Sequence, residues 1–277
     1  MEEKDTYLLD ESEVIDGRYR IDGLLGEGGF AVVYLATQLN IKRPVAIKVL
    51  KIAVDDDPKL FQRLMREAGT AAQLRHPNVV TIFDVGTTEA GYPFIVMEPF
   101  AGRNLKRVLR IDGPMDPRRA IKLFIGALGG LAEAHKLGIV HRDLKPNNLI
   151  LTDPGLPEES LRLIDFGTAR VIGTESDLTG KELTGTPAYV PPECIKDPEF
   201  VGPTIDVYQM GLILVEMITA RKAAQGDTPY MQLISHAHGK LSIPDALRDG
   251  ALGQVIARAT HMDPSLRYQH AGQFMDA

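Results

Sequence analysis

The feature that most constrains this chain is a change of hydrophobic period near residue 102. Before it, short apolar runs with β-branched residues are separated by turn residues. Residues 18–25, 32–38, 45–52, 79–85 and 94–98 read as strands. One helical stretch, 58–74, interrupts them. After Gly102 the pattern becomes mainly helical. Asp116-Pro117, an N-cap acid followed by proline at the first helical position, opens a helix that runs to about Leu137, where Gly138 is a good stop. The fold class expected is α+β: a small antiparallel-sheet lobe with one main helix over 17–98, then a larger, mainly helical lobe over 99–277. Residues 1–16 are acidic and read as a mobile segment. Clefts between such lobes are common ligand sites.

With 277 residues the chain can bury a substantial core. Its net charge of -6 disfavours a nucleic-acid partner. The lone Cys194 cannot form an internal disulfide, which fits a reducing compartment. Residues 1–10 lack the basic-then-apolar pattern of a leader. The most apolar run, 205–220, carries Asp206 and Glu216 and is shorter than the roughly 20 residues a membrane span needs. It reads as a buried helix, so no membrane contact is expected within this chain. The expected setting is cytoplasmic, or the cytoplasmic domain of a longer protein. The final residues stop inside a helical pattern, so a continuation is expected.

Three groups of residues point to chemistry. In the helix over 58–74, Leu60, Leu64 and Ala71 share a face, and Glu67 lies in the middle of it. A carboxylate facing a core needs a partner. Lys48, on the same face of its strand as Ala46, is a charge with the same need, and pairing the two satisfies both. The alternative is that each reaches solvent at the edge of its element. Second, Gly26-Glu27-Gly28-Gly29-Phe30-Ala31 lies between two strands. Glycines let backbone amides approach an anion. A strand follows, not a helix, which argues against a dinucleotide-binding turn. A hairpin lid over phosphates and a plain tight turn both remain. Third, His141-Arg142-Asp143-Leu144-Lys145-Pro146-Asn147-Asn148 crowds polar groups into a loop flanked by apolar runs. Asp143 can accept a hydroxyl proton, Lys145 can hold a phosphate, and Asn148 offers a carbonyl oxygen to a hard cation. Residues 161–164 read as a strand that ends in Asp165-Phe166-Gly167, presenting a second carboxylate. The bland alternative is a solvated polar turn.

These residues resemble the eukaryotic-type serine/threonine protein kinases, most closely bacterial ones, over residues 18–277. The matching pieces, in family order, are Leu25-Gly26-Glu27-Gly28-Gly29-Phe30-Ala31-Val32-Val33, Val45-Ala46-Ile47-Lys48, the loop from His141 to Asn148, Asp165-Phe166-Gly167 and Pro191-Pro192-Glu193. The resemblance implies the bilobal kinase fold and transfer of the ATP γ-phosphoryl group to serine or threonine hydroxyls of proteins. By it, the segment from Leu25 to Val33 covers the nucleotide, and Lys48, held by Glu67, binds the α- and β-phosphates. Asp143 accepts the substrate proton and Lys145 steadies the γ-phosphoryl group. Asn148 and Asp165 hold Mg²⁺, with Mn²⁺ as a substitute. Ala46 and Met97 flank the adenine, the carbonyl of Glu98 and the amide of Phe100 bond its edge, and Asn104 lies near the ribose. Asp206 caps the backbone near His141 and Arg142, and Glu193 pairs with Arg267. Pairing of two chains through their small lobes is a further implication, by analogy with related bacterial kinases.

Ala31 stands where the family has its third glycine, Pro191 replaces the usual alanine before Pro-Glu, and Pro99 removes a hinge amide. None of these removes a group needed for transfer. Arg142 before Asp143 implies switching by autophosphorylation of the loop over about 168–186, with Thr179 and Thr184 favoured over Thr174 and Ser176. Thr186 matches a threonine that contacts the catalytic Asp and Lys. Two rival functions are a catalytically silent, pseudokinase-like scaffold and a small-molecule phosphotransferase of related fold. The scaffold predicts ATP binding without transfer. The second usually lacks the Pro-Pro-Glu segment present here.

Overall fold

The alternating runs of the first hundred residues join into one six-stranded sheet in the computed structural model, which describes residues 8–53, 58–166 and 187–277 apart from the side chains at 59, 60, 63 and 64. The strands are β1 (Val14–Ile15), β2 (Tyr19–Glu27), β3 (Ala31–Gln38), β4 (Arg43–Leu50), β5 (Ile82–Thr87) and β6 (Pro93–Met97). All pairings are antiparallel, in the spatial order β1-β2-β3-β4-β6-β5. Helix α1 (Pro58–Ala71) lies between β4 and β5 in sequence. These elements belong to one unit, formed by residues up to Arg75 together with Val80–Ala101.

Side chains alternate along a strand, so β3, β4 and β6 each have two faces. One face brings Val32, Tyr34, Ala36, Val45, Ile47, Val49, Phe94 and Val96 together with Ile15, Tyr19 and Ile21 in a buried cluster. Each fully buried valine or isoleucine there contributes roughly 1.5–3 kcal/mol. The expectation of a mobile segment over 1–16 needs correcting in its second half. Leu8 and Leu9 pack on this cluster, Leu9 N donates to Tyr34 Oη (3.1 Å) and Ser12 N to Ile21 O (2.8 Å). Asp10, Glu11 and Glu13 stay exposed while Leu8, Leu9 and Ile15 supply the apolar contact. Residues 1–7 lie outside the described residues.

The second unit joins His76–Val79 to Gly102–Ala277. The strand expected over 79–85 therefore starts late, at Ile82. Val79 instead bridges Leu163, Asn78 O accepts from Leu163 N (2.8 Å), and Asn78 Nδ2 donates to Leu161 O (3.0 Å). Helix α2 (Leu105–Asp112) is followed by α3 (Pro117–Lys136), which starts as its sequence predicts: Asp116 Oδ1 accepts from Arg118 N (3.0 Å) and Arg119 N (3.1 Å). Gly138, at φ +72°, follows its end. Three short strands, β7 (Arg103–Asn104), β8 (Leu149–Thr152) and β9 (Ser160–Leu163), form a second antiparallel sheet.

Beyond them come α4 (Pro192–Lys196), α5 (Pro203–Thr219), α6 (Pro229–Ala237), α7 (Asp245–Arg248), α8 (Ala251–Ala259) and α9 (Ala271–Asp276). Helix α5 is the apolar run, and its residues 204–217 are all buried. Gly211 lets α8 come close: a Cβ there would lie 2.7 Å from Thr260 Cγ2. Glu193 and Arg267 form the expected buried pair, with two parallel bonds of 2.7 Å, and Arg267 also donates to Thr204 O (3.0 Å). Among the described residues, no helix is long and apolar enough to cross a membrane.

Candidate active site

The loop from His141 to Asn148 lies between α3 and β8, and α5 holds its backbone in place. Asp206, fully buried, accepts from His141 N (2.8 Å) and Arg142 N (2.7 Å), as the family resemblance implies. It also receives His135 Nε2 at 2.8 Å. His135 Nδ1 accepts from Ala271 N (3.1 Å), which puts that ring's proton on Nε2. Three residues further along α5, Gln209 Oε1 accepts from Leu144 N (2.9 Å), and Gln209 Nε2 donates to Arg142 O (3.1 Å) and Tyr189 O (3.3 Å). His141 Nε2 donates to Ile164 O (2.8 Å), and its ring packs 4.7 Å from that of Phe166.

On this frame the Asp143 carboxylate meets Lys145 Nζ at 2.7 and 2.9 Å. Asn148 Nδ2 donates to Asp143 O (2.8 Å) and Oδ2 (3.0 Å). Both are acceptors, so the amide nitrogen must face them, and the carbonyl Oδ1 remains as the end suited to a hard cation. Asn148 O accepts from Ile164 N (3.1 Å), so the stretch leading into Asp165 is tied to the same loop. Asp143 is thus in direct contact with both Lys145 and Asn148, and Asp165 follows the residue bonded to Asn148. Arg142 and Asp165 both have left-handed backbones, φ +68° and +64°. For residues other than glycine this costs on the order of 1–3 kcal/mol each and is tolerated where the surroundings impose it, often at functional sites.

In the first unit, one sheet face collects several expected nucleotide contacts. Lys48 pairs with Val33 and with Ile95, and Ala46 pairs with Met97. This is the face opposite the buried cluster. Val32 does not share it: with no exposed surface, it packs into that cluster, because neighbours on a strand point to opposite sides. Its assignment as a nucleotide contact is corrected to a core residue. Leu25 falls where the β2–β3 register slips and is exposed, as is Phe30 at the hairpin tip. Ala31, opposite Leu50, is buried. Glu27 pairs with Lys51 at 2.6 Å. Glu98 is fixed by two bonds to Thr81, N to O at 2.9 Å and Oε1 from N at 2.6 Å. Glu67 is half-buried on α1 next to buried Ala68. The side chains of Leu60 and Leu64, which complete its expected stripe, lie outside the described part of the structure, as do Gly167, Thr186 and the loop over 168–186. In the second unit, Asn104 caps α2, its Oδ1 accepting from Arg107 N (2.8 Å), which gives it a structural role the sequence reading did not foresee.

The glycine-rich hairpin supplies a test of fit for a phosphate chain. Gly26, Gly28 and Gly29 all lie outside the left-handed region. A Cβ at Gly26 or Gly29 would meet nothing within 4 Å, and at Gly28 only Ala31 O at 3.6 Å. The fold itself does not require these glycines. What they provide is bare backbone beside open space, which suits close approach of phosphates. Among the described residues no group of three or more His, Cys, Asp and Glu forms a metal cage. A divalent cation that arrives with phosphates needs few protein oxygens, and the oxygen donors of Asn148 and Asp165 are of a type that fits one.

A sequence model of the protein kinase domain matches residues 19–271. This chain belongs to the protein kinase family. The kinase is similar to serine/threonine-protein kinase PknB of Mycobacterium leprae, 34% identical over 266 residues that cover 94% of this chain and 42% of that protein. The probable serine/threonine-protein kinase SCO3848 of Streptomyces coelicolor is 34% identical over 274 residues, 96% of this chain and 40% of its own length. Serine/threonine-protein kinase PknL of Mycobacterium bovis is 32% identical over 264 residues, 94% and 65%. The kinase thus spans about two fifths of the length of PknB. Members of the family use ATP together with a divalent metal ion.

The sequence reading missed Gln209 and His135. Gln209 was visible as a buried amide in the most apolar run, one turn after Asp206 and so on the same helix face. His135 had no such signal, because a histidine near a helix C-terminus has an ordinary explanation in the helix dipole.

Proposed function

We propose that this kinase transfers the γ-phosphoryl group of ATP to serine and threonine hydroxyls of protein substrates. The observation that carries the reading is the Asp143 carboxylate, held by Lys145 and Asn148 in a loop pinned by Asp206 and Gln209. Asp143 takes the hydroxyl proton as the substrate oxygen bonds to the γ-phosphorus. The bond from that phosphorus to the bridging oxygen breaks, and ADP leaves. Lys145 offsets charge on the transferring group. Rate enhancement then comes from positioning and fixed charges, with no covalent enzyme intermediate.

In the same reading, Lys48, braced by Glu67, takes the α- and β-phosphates under the amides of Gly26 to Gly29. Val33, Ala46 and Met97 take the adenine face, and the Glu98 carbonyl and Phe100 amide its edge. Asn148 and Asp165 bind Mg²⁺ or Mn²⁺ brought with ATP, which screens phosphate charge. Lys145, two residues after Asp143, and the names of the relatives support the serine/threonine class. Autophosphorylation within 168–186 is part of the proposal. The test incubates the protein with γ-labelled ATP and a generic protein substrate, then identifies the labelled amino acids. Phosphoserine and phosphothreonine are expected in both proteins. Label confined to phosphotyrosine, or to small molecules, would refute the reading.

A further inference from the structure

We infer that His236, on α6, is a positioning residue that holds the segment Pro187–Tyr189 in register with the catalytic loop and so governs how the polypeptide around the accepting hydroxyl is seated. The inference rests on the proposed protein-phosphorylating activity and names a determinant of its substrate binding.

His236 has no exposed surface. Its Nδ1 lies 2.7 Å from Tyr208 Oη, with the two rings edge to face at 5.7 Å. Helix α6 packs on Pro187–Tyr189, and the backbone carbonyls of Pro187 and Ala188 are the groups of that segment that act on the imidazole. Carbonyls only accept, so the ring carries its proton on Nε2, towards them, and Nδ1 accepts from the Tyr208 hydroxyl. Nε2 is sealed from water and makes no hydrogen bond of ordinary geometry, so what it contributes to this segment is a buried donor beside carbonyl acceptors. Burial pushes the imidazole down to about 4, which keeps it neutral and this tautomer in place at ordinary pH.

Both ends of this link are fixed. The Tyr208 ring lies beneath the Arg267 guanidinium, 4.5 Å from its centroid, and Arg267 is locked to Glu193. At the other end, Tyr189 O accepts from Gln209 Nε2, which also holds Arg142 O beside Asp143. The Tyr189 hydroxyl donates to the buried Glu216 carboxylate. Pro187–Tyr189 therefore runs alongside the loop that carries Asp143. A polypeptide offering its hydroxyl to Asp143 must pass this segment, whereas the residues assigned to the nucleotide lie elsewhere in the chain. Disturbing His236 should weaken protein-substrate binding and spare ATP.

The test is steady-state kinetics on the full chain with ATP and a generic protein substrate varied separately. His236→Phe keeps the ring and removes both nitrogens. It should raise KM for the protein substrate about tenfold, the size expected when the buried Tyr208 hydroxyl loses its acceptor, with KM for ATP and basal ATP hydrolysis within about twofold of wild type. His236→Gln restores a donor and should recover most of the affinity. Tyr208→Phe, which removes the hydroxyl, should shift the protein-substrate KM the same way by less. An unchanged protein-substrate KM in His236→Phe, or equal rises in both KM values, would overturn the inference. If His236→Phe does not fold, Tyr208→Phe decides, and an unaltered KM there overturns it too. Absence of any transfer by the wild-type protein would instead sink the proposed function.

Discussion

Replacing the hairpin glycines with alanine separates a structural from a functional reason for their presence. At Gly26 and Gly29 an added Cβ meets nothing within 4 Å, and at Gly28 its nearest contact is Ala31 O at an ordinary 3.6 Å. None of the three needs a left-handed backbone. With no clash and no strain, alanine acts mainly on the unfolded chain, which loses conformational freedom. Each substitution should then leave stability unchanged or raise it by about 0.4–1 kcal/mol. For a protein of this size that is an upward Tm shift of at most a few degrees, on the order of 2–4 °C per kcal/mol. ATP binding should move the other way. A methyl group between an amide and a phosphate removes a charge-assisted hydrogen bond of about 1.5–3 kcal/mol, so affinity falls roughly ten- to a hundredfold. Urea unfolding gives the first quantity and titration with a fluorescent ATP analogue the second. Gly29→Ala and Gly26→Ala that lose more than about 1 kcal/mol of stability while binding ATP normally would mean that these are turn glycines, and the phosphate reading of the hairpin would be wrong.

Asp206→Asn should cost about 3 kcal/mol, because an amide keeps one acceptor oxygen where the carboxylate serves His141 N and His135 Nε2 with Oδ2 and Arg142 N with Oδ1. The displaced catalytic loop should also lower kcat on the order of a hundredfold, and a variant that unfolds and turns over like wild type would contradict the capping account. The depressed His236 pKa predicts acid sensitivity. The folded value is about 4 against 6.5 for the free group, so the unfolded chain binds more protons between those limits. Stability from this group is complete above pH 6.5 and is lost as pH falls towards 4, by up to about 3 kcal/mol. Burial raises the Glu216 carboxyl, which works in the opposite direction and is untouched by His236→Gln. Urea midpoints from pH 4 to 6.5 should therefore rise more steeply in wild type than in His236→Gln, and equal slopes would remove His236 as the cause.

The regular elements were legible because their periods are set locally. Alternation placed Lys48 and Ala46 on one face, and Asp116-Pro117 marked the start of α3. Asp206 and the Glu193–Arg267 pair were readable through family resemblance, since charges in apolar surroundings need partners. Misreadings arose where a residue's role depends on distant chain. Val32 and Val33 adjoin in the motif, but strand neighbours point opposite ways, and only Val33 shares a face with Lys48. The acidic character of residues 1–16 hides two leucines and an isoleucine that decide the packing of 8–15. Val79 left its expected strand because Leu163, far along the chain, offered a bridge. Gln209 and His135 act through backbone groups of other segments, and backbone partners leave no mark in residue type.

The central claim is that Asp143 is the acceptor of the substrate proton in phosphoryl transfer from ATP. The most direct measurement compares transfer of γ-labelled phosphate by wild-type protein and by Asp143→Asn, with ATP affinity measured on both. An amide in place of the carboxylate keeps the side chain's shape but cannot take a proton. Transfer should fall by about 10²–10⁴-fold, with ATP affinity close to wild type. Transfer within about twofold of wild type, in a variant shown to be folded and to bind ATP, would contradict the account.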